Sequence, residues 1–171
     1  FVVYIQYEWI VFMGLFSSNK KMSKSDRADD LFKAGEAAFE KSDYGKAAAF
    51  YKKAAELGHA QSMSYLAYCY RFGKGVPENA KEAFSWYQKA YRSGRGSDAG
   101  NLGAMYHYDE IDGATDDEVM ALLLEGAKNG NFNAYILLTE RYYFEEFGQT
   151  NAKLAAYWAY RAYQENQVSG S

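Results

Sequence analysis

Glycine or asparagine closes a recurring pattern at Gly58, Gly94, Gly130 and Asn166, and the three steps (94−58, 130−94, 166−130) are each 36 residues. A strict period of this length is the mark of a helical solenoid, in which one unit cannot bury its apolar face alone and stacks on its neighbours. The clearest copy is Ala60–Gly94, AQSMSYLAYCYRFGKGVPENAKEAFSWYQKAYRSG, which reads as one helix-turn-helix unit. The chain of 171 residues is long enough for four such units with a shared core.

The first unit pairs a helix over Ser25–Glu40, with Leu31, Ala34, Gly35 and Ala38 at helical spacing, with one over Tyr44–Leu57. Ser42-Asp43 makes the turn between them and offers a side-chain cap. The second pairs Ala60–Phe72 with Glu78–Ser93 across Gly73-Lys74-Gly75-Val76-Pro77, with Pro77 suited to the first helical turn. The third pairs Ser97–Tyr108 with Asp116–Asn129, where Thr115 and Glu118 have capping-box spacing. The fourth pairs Phe132–Glu145 with Ala152–Glu165, capped by Asn151, and residues 167–171 read as a polar tail. The repeat domain is therefore expected over 25–166, with units at about 25–58, 59–94, 95–130 and 131–166.

Shifting the chain on itself by 36 residues superposes Leu66, Leu102 and Leu138, and likewise Tyr70, Tyr106 and Tyr142. Trp86 meets Trp158, while Ala54, Ala90, Gly126 and Ala162 share one small-residue position. Small side chains let helices approach closely, and large ones fill the grooves between them. The expected fold is all-α: eight helices in four antiparallel pairs forming a solenoid.

At these residues the chain resembles the Sel-one-like repeat family, a branch of the tetratricopeptide superfamily. In the second unit the family's leucine-small-x-x-tyrosine signature is met by Leu66, Ala67 and Tyr70. Its glycine loop is met by Gly73, Gly75 and Val76, and its second-helix pattern by Ala83, Trp86, Tyr87 and Ala90. The third unit keeps Leu102, Gly103 and Tyr106 but shows Asp109–Asp112 where the glycine loop belongs. The fourth keeps Leu138, Tyr142, Trp158 and Ala162, also without that loop, and the first is nearer a plain tetratricopeptide unit, with Gly35, Ala47, Tyr51 and Ala54. The resemblance implies a right-handed superhelix serving as a non-enzymatic adaptor or scaffold for other proteins, often in bacterial regulation, virulence or stress pathways.

The resemblance also implies where a partner sits. First helices line the concave groove of such superhelices, through positions one, four and five after the small Gly/Ala site. Counted from Gly35, Ala67, Gly103 and Thr139, these are Glu36, Phe39 and Glu40; Tyr68, Arg71 and Phe72; Ala104, His107 and Tyr108; Glu140, Tyr143 and Phe144. Phe72, Tyr108 and Phe144 form one ladder, and Arg71, His107 and Tyr143 another. Aromatic and arginine side chains are the usual anchors of peptide recognition. The competing reading is that these residues pack against neighbouring helices.

The rest of the chain says more about what to exclude. The net charge is −3; residues 1–24 carry Glu8 and three lysines, so residues 25–171 carry about −5. Without a basic stripe, nucleic acid is not an expected partner. The two histidines, His59 and His107, fall in different units with no metal-ligand spacing around them, and no cofactor motif is present. Ser17-Ser18-Asn19-Lys20 has the Ser-x-x-Lys spacing of β-lactam-binding enzymes without its companion motifs. An enzyme of β-lactam-hydrolysing or cell-wall type is thus the weaker alternative, beside an inhibitor acting through its convex face or the acidic loop Asp109–Asp117. The single cysteine, Cys69, excludes an internal disulfide and reads as a buried small hydrophobe, which fits a cytoplasmic setting.

Phe1 to Phe16 is apolar yet holds Gln6 and Glu8, and falls short of the ~20 residues that span a bilayer. Three readings stay open: sequence upstream of a start at Met22, a packed extra segment, or a targeting remnant, which would make the setting periplasmic or secreted. At the other end, Tyr157, Tyr160 and Tyr163 put aromatic surface on the last helix, where terminal units normally present polar residues. They mark a face expected to meet either another protomer, giving a homodimer through the last helix, or the N-terminal apolar segment.

Overall fold

A computed structural model describes residues 22–143 and 151–169. The apolar segment at the N-terminus and Phe144 lie outside these. Among the described residues there are eight α-helices and no strand. They are α1 (Lys24–Glu40), α2 (Tyr44–Glu56), α3 (Ala60–Arg71), α4 (Ala80–Arg92), α5 (Asp98–His107), α6 (Asp116–Lys128), α7 (Phe132–Tyr143) and α8 (Ala152–Ser169). Each helix packs on the next, most extensively within the pairs α1/α2, α3/α4, α5/α6 and α7/α8, and α5 also meets α7. The architecture is the expected α-solenoid.

The 36-residue period has a backbone cause. The second helices α2, α4 and α6 end at Gly58, Gly94 and Gly130, whose φ angles of 93°, 93° and 79° lie in the left-handed region where a side chain is penalised. That turn lets the amides of His59, Arg95 and Asn131 reach back to the carbonyls of Ala54, Ala90 and Gly126, at 3.1, 3.2 and 2.9 Å. The periodic glycine and the periodic small residue are therefore two ends of one hydrogen-bonded closure. Asn166 does not repeat it, because α8 runs on to Ser169. Asparagine reaches the left-handed region only at a cost that glycine does not bear, and the helix continues instead of closing.

Caps set the other boundaries. Asp43, His59, Asn79, Thr115 and Asn151 each accept a backbone N–H of the first turn that follows. Thr115 and Glu118 form the expected capping box. Pro77 does not enter the first turn of α4. Asn79 takes the cap position instead, with its own amide bonded back to the Tyr70 carbonyl at 2.8 Å, so the chain around Pro77 stays loop.

The core falls into three clusters along the stack. Ala47, Tyr51, Ala54 and Leu66 fill its first part, Ala67, Tyr87, Leu102 and Met105 its middle, and Leu123, Tyr135 and Leu138 its last. The superposed leucines 66, 102 and 138 are all buried, and Trp86 and Trp158 lean on the core from its edge. Cys69 is wholly buried, and burial pushes its thiol up to about 11, so it is present as the neutral thiol at physiological pH. No helix among the described residues is long and apolar enough to cross a membrane.

Candidate partner-binding groove

Side chains of all four first helices meet on one side of the stack. That side holds two adjoining cavities of about 430 and 270 Å³. Phe39 of α1, Tyr65 and Tyr68 of α3, Tyr87 of α4 and Asn101 of α5 line the larger. Ala104 and Tyr108 at the end of α5, with Ile136 and Leu137 of α7, line the smaller. Arg71, Phe72 and Asn133 belong to both and form the shared wall.

Helical geometry explains this face. On α3, Ser64, Tyr65, Tyr68, Arg71 and Phe72 recur at one-turn and two-turn spacings, and on α7 so do Asn133, Ile136 and Leu137. Tyr68 and Phe72 meet at a tilt of 51° with ring centroids 4.8 Å apart, and Tyr68 also meets Phe39 edge-on at 6.1 Å. Phe72 and Tyr108 remain 48% and 57% exposed, an unusual state for large aromatic side chains grouped in a hollow.

Arg71 is not a free anchor. Its Nε donates to both Glu110 carboxylate oxygens, at 3.1 and 2.9 Å, and its Nη2 donates to Oε1 at 2.5 Å. The side chain is only 6% exposed, and its guanidinium lies 5.2 Å from the centre of the Phe72 ring. It therefore works as a rigid brace that ties α3 to the loop after α5 and holds Phe72 in place.

Behind the wall lies a polar lattice. The carboxylate of Asp98, 1% exposed, accepts from Ser64 Oγ at 2.5 Å, Arg95 Nε at 3.2 Å and Asn101 Nδ2 at 2.9 Å. Asn131 Nδ2 donates to Asn101 Oδ1 at 3.1 Å and to the Ser97 carbonyl at 2.9 Å. Polar groups satisfied in this way tie the second, third and fourth pairs together by hydrogen bonds.

Of the residues expected in the groove, Phe39, Tyr68, Arg71, Phe72 and Tyr108 come together in the cavity walls. His107 is half-buried beside the Tyr108 ring at 5.0 Å and lines neither cavity. Glu140 and Tyr143 are exposed outside the walls. Tyr65, Asn101 and Leu137 had not been expected, although they too stand 36 residues apart, two positions before the small site. Asn133 and Glu110 carry no periodic signal; the fold alone brings them in. On α8, Tyr157, Tyr160 and Tyr163 are 47%, 58% and 61% exposed, whereas Trp158 turns inward and stacks on Tyr135 at 6.0 Å.

The Sel1 repeat family pattern matches residues 31–59, 60–94 and 140–167. A protein of Rhizobium meliloti described as an exopolysaccharide production negative regulator is 35% identical over 79 residues, 46% of this chain and 30% of that one. Among solved structures, a Sel1 repeat protein from Oxalobacter formigenes has a TM-score of 0.68 at 26% identity, over 79% of this chain and 56% of that chain. The structure of c5321, a protective antigen of uropathogenic Escherichia coli with an SLR fold, gives 0.69 at 17% identity over 81% of this chain and 31% of that one, a likeness of fold alone. The chain thus spans well under two thirds of each of these relatives. With the family pattern covering more than half of its residues, the chain belongs to the Sel1 repeat family, whose α-solenoids typically mediate protein–protein interaction.

Proposed function

We propose that this chain is a non-enzymatic adaptor that holds a segment of a partner protein in the concave groove of α1, α3, α5 and α7. The observation that carries this reading is the pair of adjoining cavities with Phe72 between them, walled by aromatic side chains left half-exposed. Burying such side chains against a partner recovers apolar contact that the free protein lacks, and anchors of this kind are worth about 2 kcal/mol each. The Rhizobium relative is named as a negative regulator, which agrees with an adaptor that acts by holding another protein. The acidic loop is less suited to act by itself, since Glu110 within it is spent on Arg71. Cytoplasm is the proposed compartment, on the single buried free thiol.

A second reading concerns α8. The tyrosine face of Tyr157, Tyr160 and Tyr163 serves self-association of two copies, favoured by the exposure of all three rings on one helix.

The groove is tested by selecting peptides from a random library on the immobilised protein and measuring their affinity for Phe72→Ala/Tyr108→Ala. Loss of about 30-fold or more, with unchanged far-ultraviolet circular dichroism, is expected. Undiminished binding overturns the reading.

A further inference from the structure

Charge along the groove says what kind of segment fits it. One row, a position after the small site in each pair, runs Glu36, Tyr68, Ala104, Glu140. Tyr68 and Ala104 wall the two cavities, and the ends of the row are carboxylates. Glu36 lies one turn before Phe39 on α1, with Glu40 beside it. Glu140 lies one turn beyond Ile136 on the stripe that faces the smaller cavity. None of the three forms an ion pair among the described residues. Arg71 cannot offset them, because Glu110 already neutralises it. Lys33, one turn before Glu36, is the opposing charge that remains on these rows.

Resting on the groove reading above, we propose that the segment it receives is cationic at both ends around an apolar middle. The middle fills the two cavities on either side of Phe72. The basic ends meet Glu36 and Glu40 at one mouth and Glu140 at the other. The free carboxamide of Asn133, in the wall between the cavities and without a hydrogen-bond partner among the described residues, can donate to and accept from one peptide unit of the bound chain. Carboxylates so placed act on encounter rate and selectivity more than on total affinity, and they screen with salt.

The test uses the intact chain and three fluorescein-labelled peptides that share one Leu/Ile/Trp core and carry pairs of Lys, Gln or Glu at both ends. Fluorescence anisotropy at low ionic strength should rank them Lys over Gln over Glu, with about tenfold between the first two. The ranking should collapse near ~0.5 M salt. In Glu36→Gln/Glu40→Gln/Glu140→Gln it should vanish, while the Gln-ended peptide keeps its affinity. Asp112→Asn/Asp117→Asn, which removes acids away from the groove, should leave it intact. Equal binding of the three peptides, or a ranking that survives the glutamine triple variant, overturns this inference and leaves the groove reading standing. Binding of none of them removes both.

Discussion

His59 begins the second helix pair, and its side chain does what serine or asparagine does elsewhere in the chain. Nδ1 accepts the Ser62 amide at 3.1 Å and lies 2.8 Å from Ser62 Oγ, which requires the neutral ring with its proton on Nε2, 3.5 Å from Asp29 Oδ1. Burial, beneath Phe32 at 4.7 Å, lowers its pKa from the ordinary 6.5, outweighing the opposing pull of Asp29. As pH drops, the unfolded chain therefore takes up this proton before the folded one. The cap's contribution is whole above pH 6.5 and is lost as pH falls through the lower folded value. Thermal melts in a pH series should show Tm declining below about 6.5, and His59→Asn, which caps without titrating, should flatten that part of the curve. A slope unchanged in the variant would refute the assignment. The sequence displayed this histidine without its task; only the fold showed that the cap position was occupied by an imidazole.

Among elements, the loop Gly73–Pro77 does more than turn the chain. At Gly75, φ is +75°, and a Cβ there would overlap the backbone carbonyl of Tyr44 at the start of α2. Lys74 lies over the Tyr44 ring at 5.1 Å, so the loop of the second pair clasps the first. Gly75→Ala combines a left-handed strain of about 1–2 kcal/mol with that collision, and Tm should fall by about 5 °C or more in calorimetry. A fall of under a degree would mean that the clasp is loose. The third pair lacks glycine at the positions of Gly73 and Gly75, which hold Asp109 and Ile111, yet keeps the geometry. Asp109 stands 36 residues after Gly73 with φ of 53° against 61°, and the Glu110 amide bonds to Met105 as Lys74 does to Cys69. Aspartate tolerates the left-handed region better than most side chains. That is why residues without the family's glycine loop still make the family's turn, and why Glu110 arrives opposite Arg71.

At the scale of the molecule, stacked pairs contact only near neighbours, so each face of the stack must be covered by the next pair or left to solvent. Among the described residues no other pair covers the tyrosine face of α8. If it joins two copies, sedimentation velocity across concentration will show a dimer that Tyr157→Ser/Tyr160→Ser/Tyr163→Ser converts to monomer; a wild-type monomer throughout would end that reading. The sequence by itself determined the helix pairs, their order and most of their caps. These follow from local spacing, from glycine's backbone freedom and from small residues at fixed intervals, all of which are written along the chain. The family resemblance, carried onto the small-residue positions, pointed to Phe39, Tyr68, Phe72 and Tyr108, and these four line the cavity walls. Tertiary structure decided the rest: that Arg71 is consumed by Glu110, 39 residues away, that Asn133 closes the wall between two cavities, and that Asp98 is buried among donors from neighbouring pairs. Those contacts join residues of different type and no common period, and only packing brings them within bonding distance.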